Sequence, residues 1–268
     1  MGLYLGQNKI DAFSGVPTTP RYDGTVEDWV TMPVKGDIIS MNLGNTGSYD
    51  IGLGTNSYRV LDINGTVAKV LAMYEANNST AYNVSSKTIP IGGYTVQKYN
   101  GSDLDIYLNQ TWYNALNATA KAAIVSTDIS QGAYYYYDEP NDHTQSPYTY
   151  QYEYSRSGES VDDENANRNG EGYVGGRKVF ALDLKDIFDY HGSSYLRSND
   201  LMRLFYNADR PSITTYPWLR SAQSDDPTLV WLVNADDAIF DGGGANDQFA
   251  ARPAFCIDLS QITFIPSN

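Results

Sequence analysis

One cysteine in 268 residues, Cys256, excludes an internal disulfide and leaves too few thiolates for a structural zinc cage. Two histidines, His143 and His191, leave little imidazole for metal or general-base chemistry. Eighteen basic residues against 32 acidic ones give a formal net charge of −14. Such a surface repels phosphate backbones and anionic lipid, so neither nucleic acid nor a membrane is an expected partner. No apolar run approaches the length of a membrane-spanning helix. Met1 to Asp11 lacks a basic region followed by an apolar stretch. The expectation is that no secretory leader is present and that export uses another route, such as release inside a phage particle.

Catalytic patterns are equally sparse. No Ser-His-Asp order, glycine-rich phosphate cradle or HExxH pattern occurs. Cys256 sits in an apolar strand-like run and is expected to be a buried, inert thiol. His191 follows Asp186 to Tyr190 and suits the C-terminal end of a short helix, whereas His143 falls in a polar stretch and is expected to be solvated. Asp162 to Asn167 superficially suggests calcium, but the glycine an EF-hand loop needs at its sixth position falls on Arg168. No metal, cofactor or enzymatic activity is expected.

What is abundant is tyrosine, 23 residues, beside 23 glycines and many Asn, Ser and Asp. Rigid amphipathic rings among small adaptable polar groups are the composition of binding loops. A fold rich in strands and turns accounts for it equally well.

Residues 1–33 are turn-rich and read as an arm or attachment segment; residues 34–268 read as the main domain. Strands are expected at Asp37 to Met41 and Tyr58 to Ile63, with Asn64-Gly65 turning into Thr66 to Met73. Ser102 with Asp105 three residues on marks a helix start, and Ala115 to Val125 carries apolar residues at helical spacing. Ser130 to Gly176 loses periodicity; Tyr134 to Tyr137, Tyr148, Tyr150, Tyr152 and Tyr154 and the polar run Glu159 to Glu171 suggest a long surface insertion near residues 130–176. Val179 to Leu182 is strand-like, and Leu184 to Phe188 and Asn199 to Phe205 read as short helical turns. Trp231 to Val233 and Ala254 to Leu259 return to strands. The expected class is α+β.

Towards the C-terminus, Trp218-Leu219-Arg220-Ser221 is followed by Val230 to Asn234, Gly242-Gly243-Gly244 and Ala251-Arg252-Pro253-Ala254-Phe255. Together with Lys35-Gly36-Asp37, Tyr58 to Asp62, Ser102-Asp103-Leu104, Tyr107-Leu108-Asn109 and Val179 to Leu182, this ordered set resembles the prokaryotic C-type-lectin-like family over about Val34 to Phe264. The family shares its fold with formylglycine-generating enzymes, whose copper and oxygen chemistry relies on a cysteine pair. A single cysteine opposes that alternative. A structural decoration domain of a virion is the other.

The sharper resemblance is to the variable proteins of diversity-generating retroelements, a group that includes phage tropism determinants. It implies a target-binding protein on a virion tail or an extracellular surface, with residues 219–251 as the variable region. Met1 to Lys9 looks like the opening of tail-associated phage proteins, so the arm would meet tail proteins. Oligomers occur among such relatives, and a homo-oligomer is open here. In these systems randomising the adenines of an AAC codon excludes Gln, Glu, Lys, Met and Trp. Between Leu219 and Ala251 only Gln223, Trp231 and Gln248 belong to that excluded set. The resemblance therefore places these three, with Trp218, on a fixed scaffold. It assigns ligand contact to Ser224, Asp225, Asp226, Thr228, Leu229, Asp237, Phe240, Asp241, Gly242, Gly243, Asn246, Asp247 and Phe249. Arg220 and Arg252 are expected to hold nearby carbonyls or carboxylates within the frame, and the target is a protein or another cell-surface molecule.

Overall fold

The computed structural model describes residues 4–5, 8–9, 18–22, 27–44, 49–50, 56–91, 94–130, 149–151, 173–192, 195–197, 203–206, 215–223, 226–234 and 239–266. Its elements are antiparallel strands and short helices, an α+β architecture. No helix among the described residues is long and apolar enough to cross a membrane. The turn-rich start contains two small hairpins, Tyr4–Leu5 with Asn8–Lys9 and Thr18–Tyr22 with Glu27–Thr31.

The main sheet has six strands. Its labelled members are β1 (Ile38–Met41), β2 (Ser57–Asn64) and β3 (Val67–Ala72), with β9 (Ala254–Asp258) and β10 (Phe264–Pro266) from the end of the chain. The order is Ile124–Val125, β9, β3, β2, β1, β10. The last strand thus closes on the first, Ile265 opposite Ser40. The β2–β3 turn uses Gly65 at φ 62°, a left-handed conformation that a side chain disfavours. Beside this sheet lie β4 (Asn77–Ala81), and then β5 (Trp218–Ala222), β6 (Leu229–Asn234), β7 (Ile239–Gly244) and β8 (Gln248–Ala251). Strands β5, β6 and β7 form one sheet, while β8 pairs with β4.

Helix α1 (Asp103–Ile106) starts at Ser102, whose side chain accepts from the Asp105 amide. It runs on as a π-helical stretch, Tyr107–Trp112. Asn109 supplies the reason: its Nδ2 donates to the Asp105 carbonyl at 3.1 Å, the acceptor its own amide would take in an α-helix. The same side chain brackets Val179, donating to its carbonyl at 2.8 Å and accepting from its amide at 3.1 Å.

Two expected elements differ. The helix expected over 115–125 is Ala118–Ala123, capped by Asn117, and Ile124–Val125 pairs with β9 instead. β-branched side chains fit that strand better than a helix end. Val179 to Leu182 is buried but forms no strand; Phe180 bridges Ala254 of β9. The base of the tyrosine-rich stretch is closed by Thr127–Ser130 pairing with Tyr173–Arg177. Tyr134 to Tyr137, Tyr148, Tyr152, Tyr154, His143 and Asp162 to Arg168 lie outside the described residues. One apolar cluster runs from Met32 and Ile39 through Tyr58, Val70, Trp112 and Phe188 to Trp218, Trp231 and Phe264.

Candidate functional site: a buried frame carrying exposed loops

Every residue of β5 is buried, as are the four central residues of β6. Trp218 anchors the first strand. Its indole Nε1 donates to the Thr80 carbonyl at 2.7 Å, and its ring meets Phe249 at 5.0 Å and Tyr82 at 5.9 Å, both edge-on. These contacts tie β5 to β4 and β8 with aromatic area and a satisfied polar atom.

Arg220 is tied down at both ends. Its amide donates to the Leu182 carbonyl at 2.9 Å, and its carbonyl accepts from the Tyr82 hydroxyl at 3.0 Å. Its guanidinium donates to the Ala181 carbonyl at 2.7 Å, to Asp186 at 2.7 Å and to Asp183 at 2.6 Å. The two carboxylates belong to the start of α2 (Leu184–His191), where Asp183 and Asp186 form a reciprocal capping box. Lys69 of β3 completes the group, donating to Asp186 at 2.9 Å. His191 ends the helix, the position that its charge complements.

Burial and the neighbouring carboxylate push Asp183 up to about 7 despite the opposing pull of Arg220. Burial acts on Asp186 in the same sense, but Arg220 and Lys69 outweigh it and hold that carboxyl well below its usual range. A carboxyl whose folded pKa is raised stabilises the fold below its unfolded pKa, about 4, and that contribution is lost as pH rises through about 7. Asp183→Asn should therefore flatten the stability profile between these limits. Urea unfolding of both proteins across that window checks it: an unchanged slope would mean that Asp183 titrates normally.

Arg252 is the second frame cation. It donates to the Phe205 carbonyl at 2.6 Å, lies 4.7 Å from the Tyr206 ring centre, and sits 3.5 Å from the fully buried Glu75. Burial raises Glu75 against the pull of Arg252. Cys256, expected to be buried, is only partly so, opposite Lys69; burial still raises its thiol, although the Thr127 hydroxyl and Lys69 act in the other direction.

The expected contact residues divide in three. Ser224, Asp225 and Asp237 lie outside the described residues, and for Phe240 only the backbone is described, opposite Val233. Thr228, Asp241, Asn246 and Asp247 are exposed, with Asp226, Leu229 and Gly242 partly so. Asp226 caps its own turn, accepting from the Thr228 amide at 2.8 Å and hydroxyl at 2.6 Å. Asp241 accepts from the Gly242 amide at 2.8 Å and Asp247 from the Gly244 amide at 3.1 Å. Gly243 and Phe249 do not face solvent freely. Gly243 is buried, and a Cβ there would lie 2.7 Å from Leu232 and 2.8 Å from both Phe249 and Trp218. Phe249 leans on Trp218 and, at 5.7 Å, on Tyr216. Of the two glutamines expected on the scaffold, Gln223 is buried with its amide against Gly242, whereas Gln248 is exposed and accepts from Ser79.

Gly243→Val should accordingly destabilise the fold by about 1–3 kcal/mol through overpacking against two aromatic rings. Asn246→Ala should change it by less than about 0.5 kcal/mol. Chemical denaturation distinguishes them, and equal effects would contradict this division.

Sequence reasoning missed Asp183, Asp186, Lys69 and Glu75. Asp183 with Asp186 three residues on repeats the spacing that marks Ser102 and Asp105, so the cap was legible; its capture by Arg220, remote in the chain, was not. No cluster of His, Cys, Asp and Glu able to hold a metal occurs among the described residues.

No curated protein and no solved structure matches the chain. One family model does match, that of a domain of unknown function, DUF6273, over residues 79–259. That span contains α1, α2, both frame arginines and the exposed residues Thr228, Asp241, Asn246 and Asp247, and it covers well over half of the sequence. The chain belongs to the DUF6273 family.

Proposed function

We propose that this chain is a non-enzymatic target-binding protein with a C-type-lectin-like fold, carried by a phage or prophage, whose surface within residues 219–251 recognises a host or cell-surface molecule. The observation that carries the reading is the division of labour over residues 218–251. Trp218, Leu219, Arg220, Trp231 and Val233 are buried and bonded into the frame, while Thr228, Asp241, Asn246 and Asp247 stand in solvent on turns and at a sheet edge. Exposed positions on a rigid support exchange side chains at little cost in stability, which is what a diversified recognition surface requires. The pairing of β10 with β1, which sets the first and last strands of the main sheet along the chain side by side at one edge, agrees with a lectin-like closure. Arg220 and Arg252 act as frame residues in this reading, and recognition needs no cofactor.

The surrounding genome tests it. A diversified protein has a nearby reverse-transcriptase gene and a near-copy of the segment encoding residues 219–251, differing at adenines. Finding both supports the reading. Absence of both from a complete source genome would contradict diversification and favour an invariant surface domain.

A further inference from the structure

The most exposed large apolar side chain among the described residues is Val84, at 71%. It lies outside the 219–251 stretch but is fastened to it. The Asn83 amide donates to the Ala245 carbonyl at 2.7 Å, and the Ala245 amide donates to the Thr228 carbonyl at 2.9 Å. Three loops therefore lie side by side, with Ala245 in the middle. A second seam runs beneath them. Gln97, 1% exposed, donates to the Pro227 carbonyl at 2.5 Å and the Ser86 hydroxyl at 3.2 Å, and accepts from Asn83 Nδ2 at 3.0 Å. Asn83 is itself 1% exposed, and its Oδ1 has no hydrogen-bond partner among the described residues. The residue preceding Val84 thus holds a buried acceptor without a donor.

The surroundings of Val84 are acidic. Asp226 and Asp247 occupy the two neighbouring loops, and Asp226 is held below its usual range by its bonds from Thr228. Asp103 accepts from the Val84 amide at 2.6 Å and is partly offset by Lys87 at 3.0 Å. An apolar tip beside carboxylates complements a partner with an apolar side chain next to a cation; the carboxylates also disfavour acidic competitors.

We propose that the recognition surface extends to the Asn83–Ser86 loop, with Val84 as an apolar anchor outside residues 219–251, and that it takes a protein segment bearing Lys or Arg beside an aliphatic or aromatic residue. This rests on the target-binding reading and adds to it a contact outside residues 219–251 and a partner chemistry. Val84 supplies the apolar contact, and Asp226 and Asp247, inside residues 219–251, set the preference for a basic partner in this sequence.

The probe is a displayed library of random linear peptides, selected on the intact chain and counter-selected on a Val84→Ser, Asp226→Asn, Asp247→Asn variant whose folding is verified by its thermal transition. Selected peptides should carry a basic residue next to an apolar one. Their affinity should fall about tenfold or more on Val84→Ser alone, the size of a single hot-spot loss. If they bind Val84→Ser unchanged but lose affinity on Asp241→Ala with Asn246→Ala, the target-binding surface stands and its extension to Val84 falls. If selection enriches nothing above the counter-selected variant, or the peptides lack basic residues, the proposed anchor and partner chemistry are overturned.

Discussion

Replacing Arg220 by Met is expected to lower folding stability by about 3–5 kcal/mol, the usual cost of removing one partner from a buried ion pair. Met restores much of the volume, so the loss would report charge and hydrogen bonds more than a cavity. Asp183, Asp186 and the Ala181 carbonyl each accept from this guanidinium, and both carboxyl groups are nearly excluded from solvent. Lys69 would still neutralise Asp186, leaving Asp183 as the stranded charge. Because burial already raises Asp183, acid should relieve the defect: the loss should be smaller at pH 5 than at pH 8. Urea unfolding at both pH values checks this, and a loss below about 1 kcal/mol at pH 8 would contradict the structural role given to Arg220.

Trp218→Ala should cost a comparable amount, about 3–5 kcal/mol, for a different reason. The indole fills the space between Tyr82 and Phe249 and satisfies the Thr80 carbonyl. Its removal opens a cavity at the junction of β4, β5 and β8 and orphans a buried acceptor. Thermal and urea unfolding should show the loss, whereas Asp241→Ala should leave both transitions close to those of the parent. A Trp218→Ala protein as stable as the parent would mean that the exposed loops are not supported in the way described.

Local signals read well in this sequence because they depend on neighbours a few residues apart. The Asn64-Gly65 turn, the Ser102 cap and the strands around Trp231 and Phe255 all stand where the pattern places them. Signals that depend on remote partners did not. Ile124 and Val125 fit a helical period, but pairing with Ile257 and Cys256 makes them a strand. The π-helical stretch contains Asn109, whose side chain brackets Val179 far along the chain, a contact no local spacing reveals. Gly243 looks permissive as a residue type, yet Leu232, Phe249 and Trp218 crowd the place a side chain would occupy. Phe249 reads as an exposed aromatic anchor, but it leans on the frame. The frame residues were easier to recognise than the contact residues, since Trp and Arg flanked by apolar strands have few alternatives to burial or pairing.

Sequencing this gene from many independent isolates tests the central claim most directly. The account predicts that amino-acid changes concentrate at Asp226, Thr228, Asp241, Asn246 and Asp247 and spare Trp218, Arg220, Trp231, Gly243 and Arg252. Changes spread evenly along residues 219–251, or striking the buried frame as often as the exposed turns, would contradict it.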